Sequence, residues 1–322
     1  MNSSPANEGV LNDAAADALR QGTVAWSAWR AANPGARPVL MGRTLAGAAL
    51  AGADLAGLSL RRCDLSRSDL TGALLGGCAL GGADLSGVTA IGADFSGAHL
   101  LDAILTGADL SRARLDGVRA RAVVAGGICL SEASLRGAHF EAARLEGAVL
   151  ERAQLGQTNL AGAHLVGARL DGARLADTNF CDADLTDAVL DGVTGVARFQ
   201  RATLRGTSLR RAQLGASDFT SAFLPRATFA GADLIGARFE DAVLRAARFI
   251  AAKLDDARLS GCDARAADFE GASLVKARLD GVNLFAASLA DADLAHADLT
   301  NAHLAQAKLA RARLDHTRLA PG

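Results

Sequence analysis

From Leu40 to Leu319 a large apolar residue returns at nearly every fifth position, with a small residue two places before it. These centres run Leu40, Leu45, Leu50 and onward to Leu190, then after one break Phe199, Leu204 and onward to Leu319; 52 of the 56 are Leu or Phe. Helices repeat at about 3.6 residues and strands at about 2, so neither turns a five-residue period into one continuous apolar face. A chain that turns a corner every five residues does. Four such sides close a square coil of twenty, which sets each centre above the one in the coil before. Two side chains per unit then point inward and three face water.

The exceptions obey the same packing rule. Ala90, Ala120 and Ala125 replace a large centre, and each has Val two places earlier (Val88, Val118, Val123); Ala264 has Cys262 there. Volume lost at the centre is returned by its inward neighbour, as a close-packed interior requires.

Units reading Ala-Asp-Leu-Ser-Gly (83–87), Ala-Asp-Leu-Ala-Gly (53–57) and Ala-Asp-Leu-Thr-Asn (297–301) resemble the pentapeptide-repeat family. The resemblance implies an all-β solenoid, a right-handed quadrilateral β-helix of about 14 coils. Coils about 4.8 Å apart would make it roughly 67 Å long.

Gly stands two places after the centre in 19 of the first 31 units but in only 6 of the last 25. Gly removes the cost of positive φ, so type II corners are expected in the first half and other corners in the second. Between the halves, Leu190 to Phe199 spans nine residues where ten are expected, across a stretch containing Gly192 and Gly195. A kink near Gly195 is expected to divide the solenoid. The predicted organisation is a disordered tail (1–10), an N-terminal capping helix and connector (11–38), a first solenoid segment (39–190), the register break (191–198) and a second segment (199–322).

A solenoid has open ends whose strand edges and apolar centres must be covered. Leu11, Ala15, Ala18, Leu19, Gly22, Trp26 and Trp29 fall on one helical stripe, ended by Asn33-Pro34-Gly35. They predict a cap in which Leu19, Trp26 and Trp29 cover the first coil. At the other end Leu304, Leu309, Leu314 and Leu319 are followed by Ala-Pro-Gly, and a homodimer through this C-terminal coil is expected to cover them.

Net charge is −1, unevenly spread: residues 41–194 hold 18 acids and 13 bases, and 195–322 hold 14 acids and 18 bases. Because residues twenty apart stack, one outward column of the second half should read Arg198, Asp218, Arg238, Arg258, Arg278, Asp298 and Arg318. In the first half Asp54, Asp64, Asp69, Asp84, Asp94 and Asp109 gather on three faces of neighbouring coils and form a candidate partner-binding patch. Phe223 and Phe285 leave the core pattern and are candidates for a second contact. Outward Ile104 and Val124 should stack as a small apolar strip.

No catalytic or cofactor motif is present: no phosphate-binding glycine loop, nucleophile elbow or dinucleotide turn. The six His lie at outward positions, and His99 and His139 share a face two coils apart with Arg119 between them, too far for one metal. No metal, no cofactor and no enzymatic activity are expected. The chain has no Tyr and few exposed aromatics, which argues against direct nucleic-acid binding. There is no transmembrane run and no secretory segment. Three of the five Cys (Cys63, Cys78, Cys262) take the small inward position, and Cys129 and Cys181 should be exposed on distant coils. A cytoplasmic location without membrane contact fits this usage.

The family resemblance implies a non-enzymatic protein that binds another protein, most specifically a type II topoisomerase (DNA gyrase or topoisomerase IV) protected from an antibiotic poison. The alternative is a general protein-interaction scaffold. With 32 acids against 31 bases from residue 41 onward, imitation of duplex DNA along the whole length is not expected, and only a local acidic patch could serve that role.

Overall fold

The computed structural model describes residues 5–319, with side chains described from Asn12 onward. It comprises two compact units, residues 1–159 and 160–322. In each, every centre from Leu40 to Leu299 is buried, together with the small residue two places before it wherever that residue is Ala, Val or Cys and lies within the repeats from Ala48 on.

The backbone follows one rule at each five-residue unit. In the Leu50 unit the centre donates its N–H to Asp69 O one coil on (2.7 Å), and Gly52 donates to Thr71 O (2.8 Å). Ala53 closes the corner by donating to Leu50 O (3.0 Å), and Asp69 donates back to Ala48 O (3.0 Å). Four of five N–H groups are thereby satisfied by coil stacking and the corner turn. The fifth, on the residue after the centre, needs a side chain or water. Parallel bridges link residues twenty apart, as in Asp64↔Asp84 and Ile104↔Val124. Regular strands are only two residues long: β1 (Thr178–Asn179) pairs with β2 (Ala197–Arg198), and β3 (Asp298–Leu299) with β4 (Arg318–Leu319).

All corners from residue 42 to residue 316 except the one at the break share one conformation, with positive φ two places after the centre. Gly47 has φ 67°, and Ala246, Ala251 and Lys276 have 55°, 52° and 59°. The second half therefore does not switch corner type, contrary to the expectation from its glycine content. The corner bond back to the centre carbonyl, as from Ala247 N–H to Leu244 O (2.9 Å) and from Thr317 N–H to Leu314 O (3.2 Å), closes the same turn at every side whatever the side chain, so L-residues bear the steric cost of the left-handed region.

The register break is a coil of nineteen residues inside the second unit. Arg174 pairs with Thr194, and Thr194 with Gln213. The bonds Asp177 N–H to Val196 O (2.7 Å) and Gly195 N–H to Gln213 O (3.0 Å) carry the ladder through it. Gly195 takes the place of a centre and has φ 105°. A Cβ there would lie 2.7 Å from Ala176 N. The shortened corner also strips Ala197 N–H of the centre carbonyl it would otherwise meet, and the buried Ser217 Oγ accepts it instead at 3.0 Å. The ladder thus continues through the nineteen-residue coil at Gly195.

Two phenylalanine ladders run through part of the second unit, among its leucine centres. Phe180, Phe199, Phe219 and Phe239 stack at centroid spacings of 5.0, 4.7 and 4.7 Å, and Phe229, Phe249 and Phe269 at 4.8 and 4.9 Å. The ladders meet edge to face, as Phe219 and Phe229 do at 5.8 Å. The inward cysteines do more than fill the space of Ala: Cys63 and Cys78 donate their Sγ–H to Leu40 O and Leu55 O at 2.8 and 2.9 Å.

The N-terminal cap is two helices, not one. Helix α1 (Pro5–Arg20) begins within the stretch expected to be a disordered tail, and α2 (Thr23–Ala32) follows a break at Gly22, whose φ is 99°. Residues 1–4 and the Leu11 side chain, both part of the sequence expectation, lie outside the described residues. The cap satisfies edge carbonyls of the first coil. Arg20 Nε donates to Thr44 O (3.1 Å), Thr23 N–H to Ala49 O (3.0 Å), Thr23 Oγ1 to Ala51 O (2.9 Å) and Trp26 Nε1 to Asp54 O (2.7 Å). Leu19 and Trp26 are fully buried, and the half-buried Trp29 stacks on Trp26 at 5.2 Å.

Candidate functional site

The six aspartates proposed as a patch fall in three columns as the spacing requires: Asp64 pairs with Asp84, while Asp69 and Asp109 flank Thr89, and Asp54 and Asp94 flank Leu74. Each also has a local task. Oδ1 of every one accepts the N–H two residues on, the fifth donor of its unit: Ala56 for Asp54 (3.1 Å), Ser66 for Asp64 (3.0 Å), Thr71 for Asp69 (3.0 Å). Ser86, Ser96 and Ser111 do the same for Asp84, Asp94 and Asp109, each at 2.9 Å. Such Asx turns explain why Asp or Asn before the centre suits this fold. The Thr71 hydroxyl and N–H hold the Asp69 carboxyl below the usual range. Burial pushes Asp94 up, but Ser96 and Arg114 outweigh it and leave the carboxyl lowered. The outer oxygens of Asp54 and Asp94 face Arg30 (3.9 Å) and Arg114 (3.5 Å), which leaves Asp64, Asp69, Asp84 and Asp109 outside any ion pair among the described residues.

Phe223 and Phe285 are exposed but not brought together. Phe223 sits in the column Thr203, Phe223, Val243, Asp263, Asn283, His303, whereas Phe285 occupies a corner and stacks on His303 at 6.0 Å. The nearby basic residues are drawn inward on Asp263, which Arg245 reaches at 2.6 Å and Arg265 at 2.8 Å. These guanidinium groups, Arg265 foremost, bring the Asp263 carboxyl down to about 2.

The charged column runs Arg198, Asp218, Arg238, Arg258, Arg278, Asp298, Arg318, as spacing predicted. Arg238 bridges Asp218 (3.1 Å) and Glu240 (3.5 Å), so the ladder neutralises itself in part. In the last coil Leu304 and Leu309 are half-buried, while Leu314 and Leu319 are 40% and 52% exposed.

Cys129 and Cys181 are half-buried, not exposed. Cys181 Sγ–H donates to Gln200 Oε1 at 3.0 Å, and burial raises its thiol. Among the described residues no group of three or more His, Cys, Asp or Glu could hold a metal, and no helix is long and apolar enough to cross a membrane.

One feature escaped the sequence reading. Met41, Arg61, Arg62, Gly81, Gly82, Leu101 and Asp102 line a corner notch of about 440 Å³ in the first unit. Its signal was present: Gly81-Gly82 stands one coil after Arg61-Arg62.

The family model for pentapeptide repeats matches in eight copies, over residues 44–87, 83–119, 128–165, 163–194, 197–228, 224–261, 247–288 and 287–320. No curated protein matches the chain. Among solved structures, it is similar to HetL of the cyanobacterium Nostoc sp. strain PCC 7120, a pentapeptide repeat protein involved in heterocyst differentiation regulation. The likeness is 30% identity over 79% of this chain and 88% of HetL, with a TM-score of 0.28. QnrB1, a plasmid-mediated fluoroquinolone resistance protein, is 21% identical over 67% of this chain and 89% of its own, with a TM-score of 0.27. Rfr23 of the cyanobacterium Cyanothece 51142 is 24% identical over 38% and 90%, with a TM-score of 0.17.

Proposed function

Because the chain belongs to the pentapeptide-repeat family, we propose that it is a non-enzymatic scaffold that binds another protein along its outward columns. One observation carries this reading. The interior is filled by stacked centres, so the chemistry-bearing side chains stand on outer columns held in register by backbone bonds. Such a surface pre-arranges its contacts and loses little freedom on binding.

The narrower reading is protection of a type II topoisomerase, DNA gyrase or topoisomerase IV, from an antibiotic poison, with Asp54, Asp64, Asp69, Asp84, Asp94 and Asp109 as the contact. It draws support from the family and from the acidic columns of the first unit. Its test is gyrase supercoiling in the presence of a fluoroquinolone. Rescue by the purified protein, lost on changing Asp64 and Asp84 to Asn, supports protection. No rescue and no retention of gyrase on the immobilised protein removes it and leaves the scaffold. The scaffold itself is tested by crosslinking the full chain in extract of its own cell: a partner held saturably and lost on column substitution is expected, and the absence of any saturable partner overturns it.

A homodimer through Leu304, Leu309, Leu314 and Leu319 belongs to the same proposal, because Leu314 and Leu319 expose apolar surface. Light scattering that gives a monomer at micromolar concentration removes it.

A further inference from the structure

We infer that the corner notch over Gly81-Gly82 is a docking site for an acidic peptide segment of a partner protein, one that carries a carboxylate beside an apolar side chain. The inference rests on the scaffold reading and names the chemistry of what the scaffold holds.

The notch exists because two corner residues have no side chains. On the same corner column, one coil before, come Arg61 and Arg62, and one coil after, Leu101 and Asp102. The arginines lean over the bare floor: a Cβ on Gly81 would lie 3.8 Å from Arg61 Nε, and one on Gly82 would lie 3.5 Å from Arg62 Cγ. Neither guanidinium is in an ion pair among the described residues, whereas Arg43, Arg114, Arg144 and Arg152 of the same unit are. Arg62 also holds a left-handed backbone, φ 54°, at a position where Gly42 and Gly82 on its own column avoid the cost.

The walls decide the ligand. Met41 and Leu101 are 56% and 50% exposed at opposite ends of the notch. Two guanidinium groups select a carboxylate, and the flanking Met and Leu select an apolar neighbour. Asp102 then faces a backbone N–H or a basic side chain of the same peptide. A nucleic acid fits poorly, because Asp64 and Asp84 border the adjoining face and Asp102 stands in the notch, all repelling a polyanion.

The experiment is selection of displayed random dodecapeptides on the intact protein, followed by fluorescence anisotropy of the enriched peptides. Expected are sequences pairing Asp or Glu with Leu, Met or Phe, whose affinity falls at least tenfold in Arg61→Gln. It should fall as far in Gly81→Leu, which fills the floor. Gly81 has no positive φ and its Cβ would meet only ordinary contacts, so that variant keeps the fold, checked by an unchanged melting midpoint. Peptides without acid, or peptides bound undiminished by both variants, overturn the notch while leaving the scaffold reading in place. An enriched peptide displaced by a single-stranded oligonucleotide also overturns it.

Discussion

Ser217 Oγ accepts the backbone N–H of Ala197 at 3.0 Å in a fully buried setting. The hydroxyl stands where the repeat places Ala, and it answers for the one residue missing from the coil before it. Ser217→Ala therefore leaves a buried donor without a partner, at a cost of about 1–3 kcal/mol. Ser68→Ala is the control. Ser68 donates to Leu65 O, which still accepts Ser68 N–H after the change, so its loss should be about 1 kcal/mol or less. Urea unfolding of both variants measures the difference; equal losses would show that Ser217 has no special part in the break.

Gly195→Ala should be far worse than Ala at an ordinary corner. A Cβ at Gly195 meets Ala176 N at 2.7 Å, whereas one at Gly72 meets nothing within 4 Å. Gly72→Ala incurs the left-handed cost of about 1–2 kcal/mol, offset by about 0.4–1 kcal/mol from the reduced freedom of the unfolded chain. The prediction is a markedly lower melting midpoint for Gly195→Ala and a small drop for Gly72→Ala, read by calorimetry.

Ala246→Gly and Ala251→Gly should stabilise, because these alanines hold φ 55° and 52°. Relief of about 1–2 kcal/mol in the native state is offset by about 0.4–1 kcal/mol of added freedom in the unfolded chain. A net gain of up to about 1.6 kcal/mol each, centred on about 0.8, follows from these two effects, visible as a raised midpoint. A lowered midpoint would contradict the corner assignment.

Asp263, lowered to about 2 by Arg265 and Arg245, sets a pH dependence. An unfolded Asp titrates near about 3.9, so the folded state binds this proton less readily. The stabilisation is complete above about pH 4 and is lost as pH falls towards 2. Asp263→Asn should lower the melting temperature by a constant amount between pH 6 and 8, where the stabilisation is complete, and flatten its fall as pH drops from about 4 towards 2.

Thiol labelling separates the cysteines. Burial pushes Cys262 up to about 12 and Cys78 up to about 11. At pH 8 the native protein should label Cys129 with a disulfide reagent while these two react only after unfolding. Mass spectrometry of labelled peptides reads the order.

The period, the inward positions and the column from Arg198 to Arg318 were legible because side-chain size alone dictates who can stand inside a coil. Corner conformation was not. Gly reports a left-handed residue, but Ala246 or Lys276 in the same conformation sends no signal, since the corner turn and not the side chain imposes it. The aspartates were legible as columns but not as corner holders, because a charge on an outer face reads alike whether its carboxylate is free or turned onto a neighbouring N–H. Ser217 looked like one more small residue, and the N–H it serves exists only once the nineteen-residue coil is known. The break between α1 and α2 was hidden because Gly22 fits the helical stripe.

The shortened corner still turns through its angle, which is why Arg174, Thr194 and Gln213 remain above one another. Losing a whole five-residue unit would act differently: every later residue would be carried a quarter-turn around the axis and presented on the neighbouring side. Gain or loss of four units would lengthen or shorten the stack and leave its later sides facing as before. Within either compact unit insertions are thus read in quarters of a revolution, and the count of five-residue units between two exposed charges fixes whether they share a side.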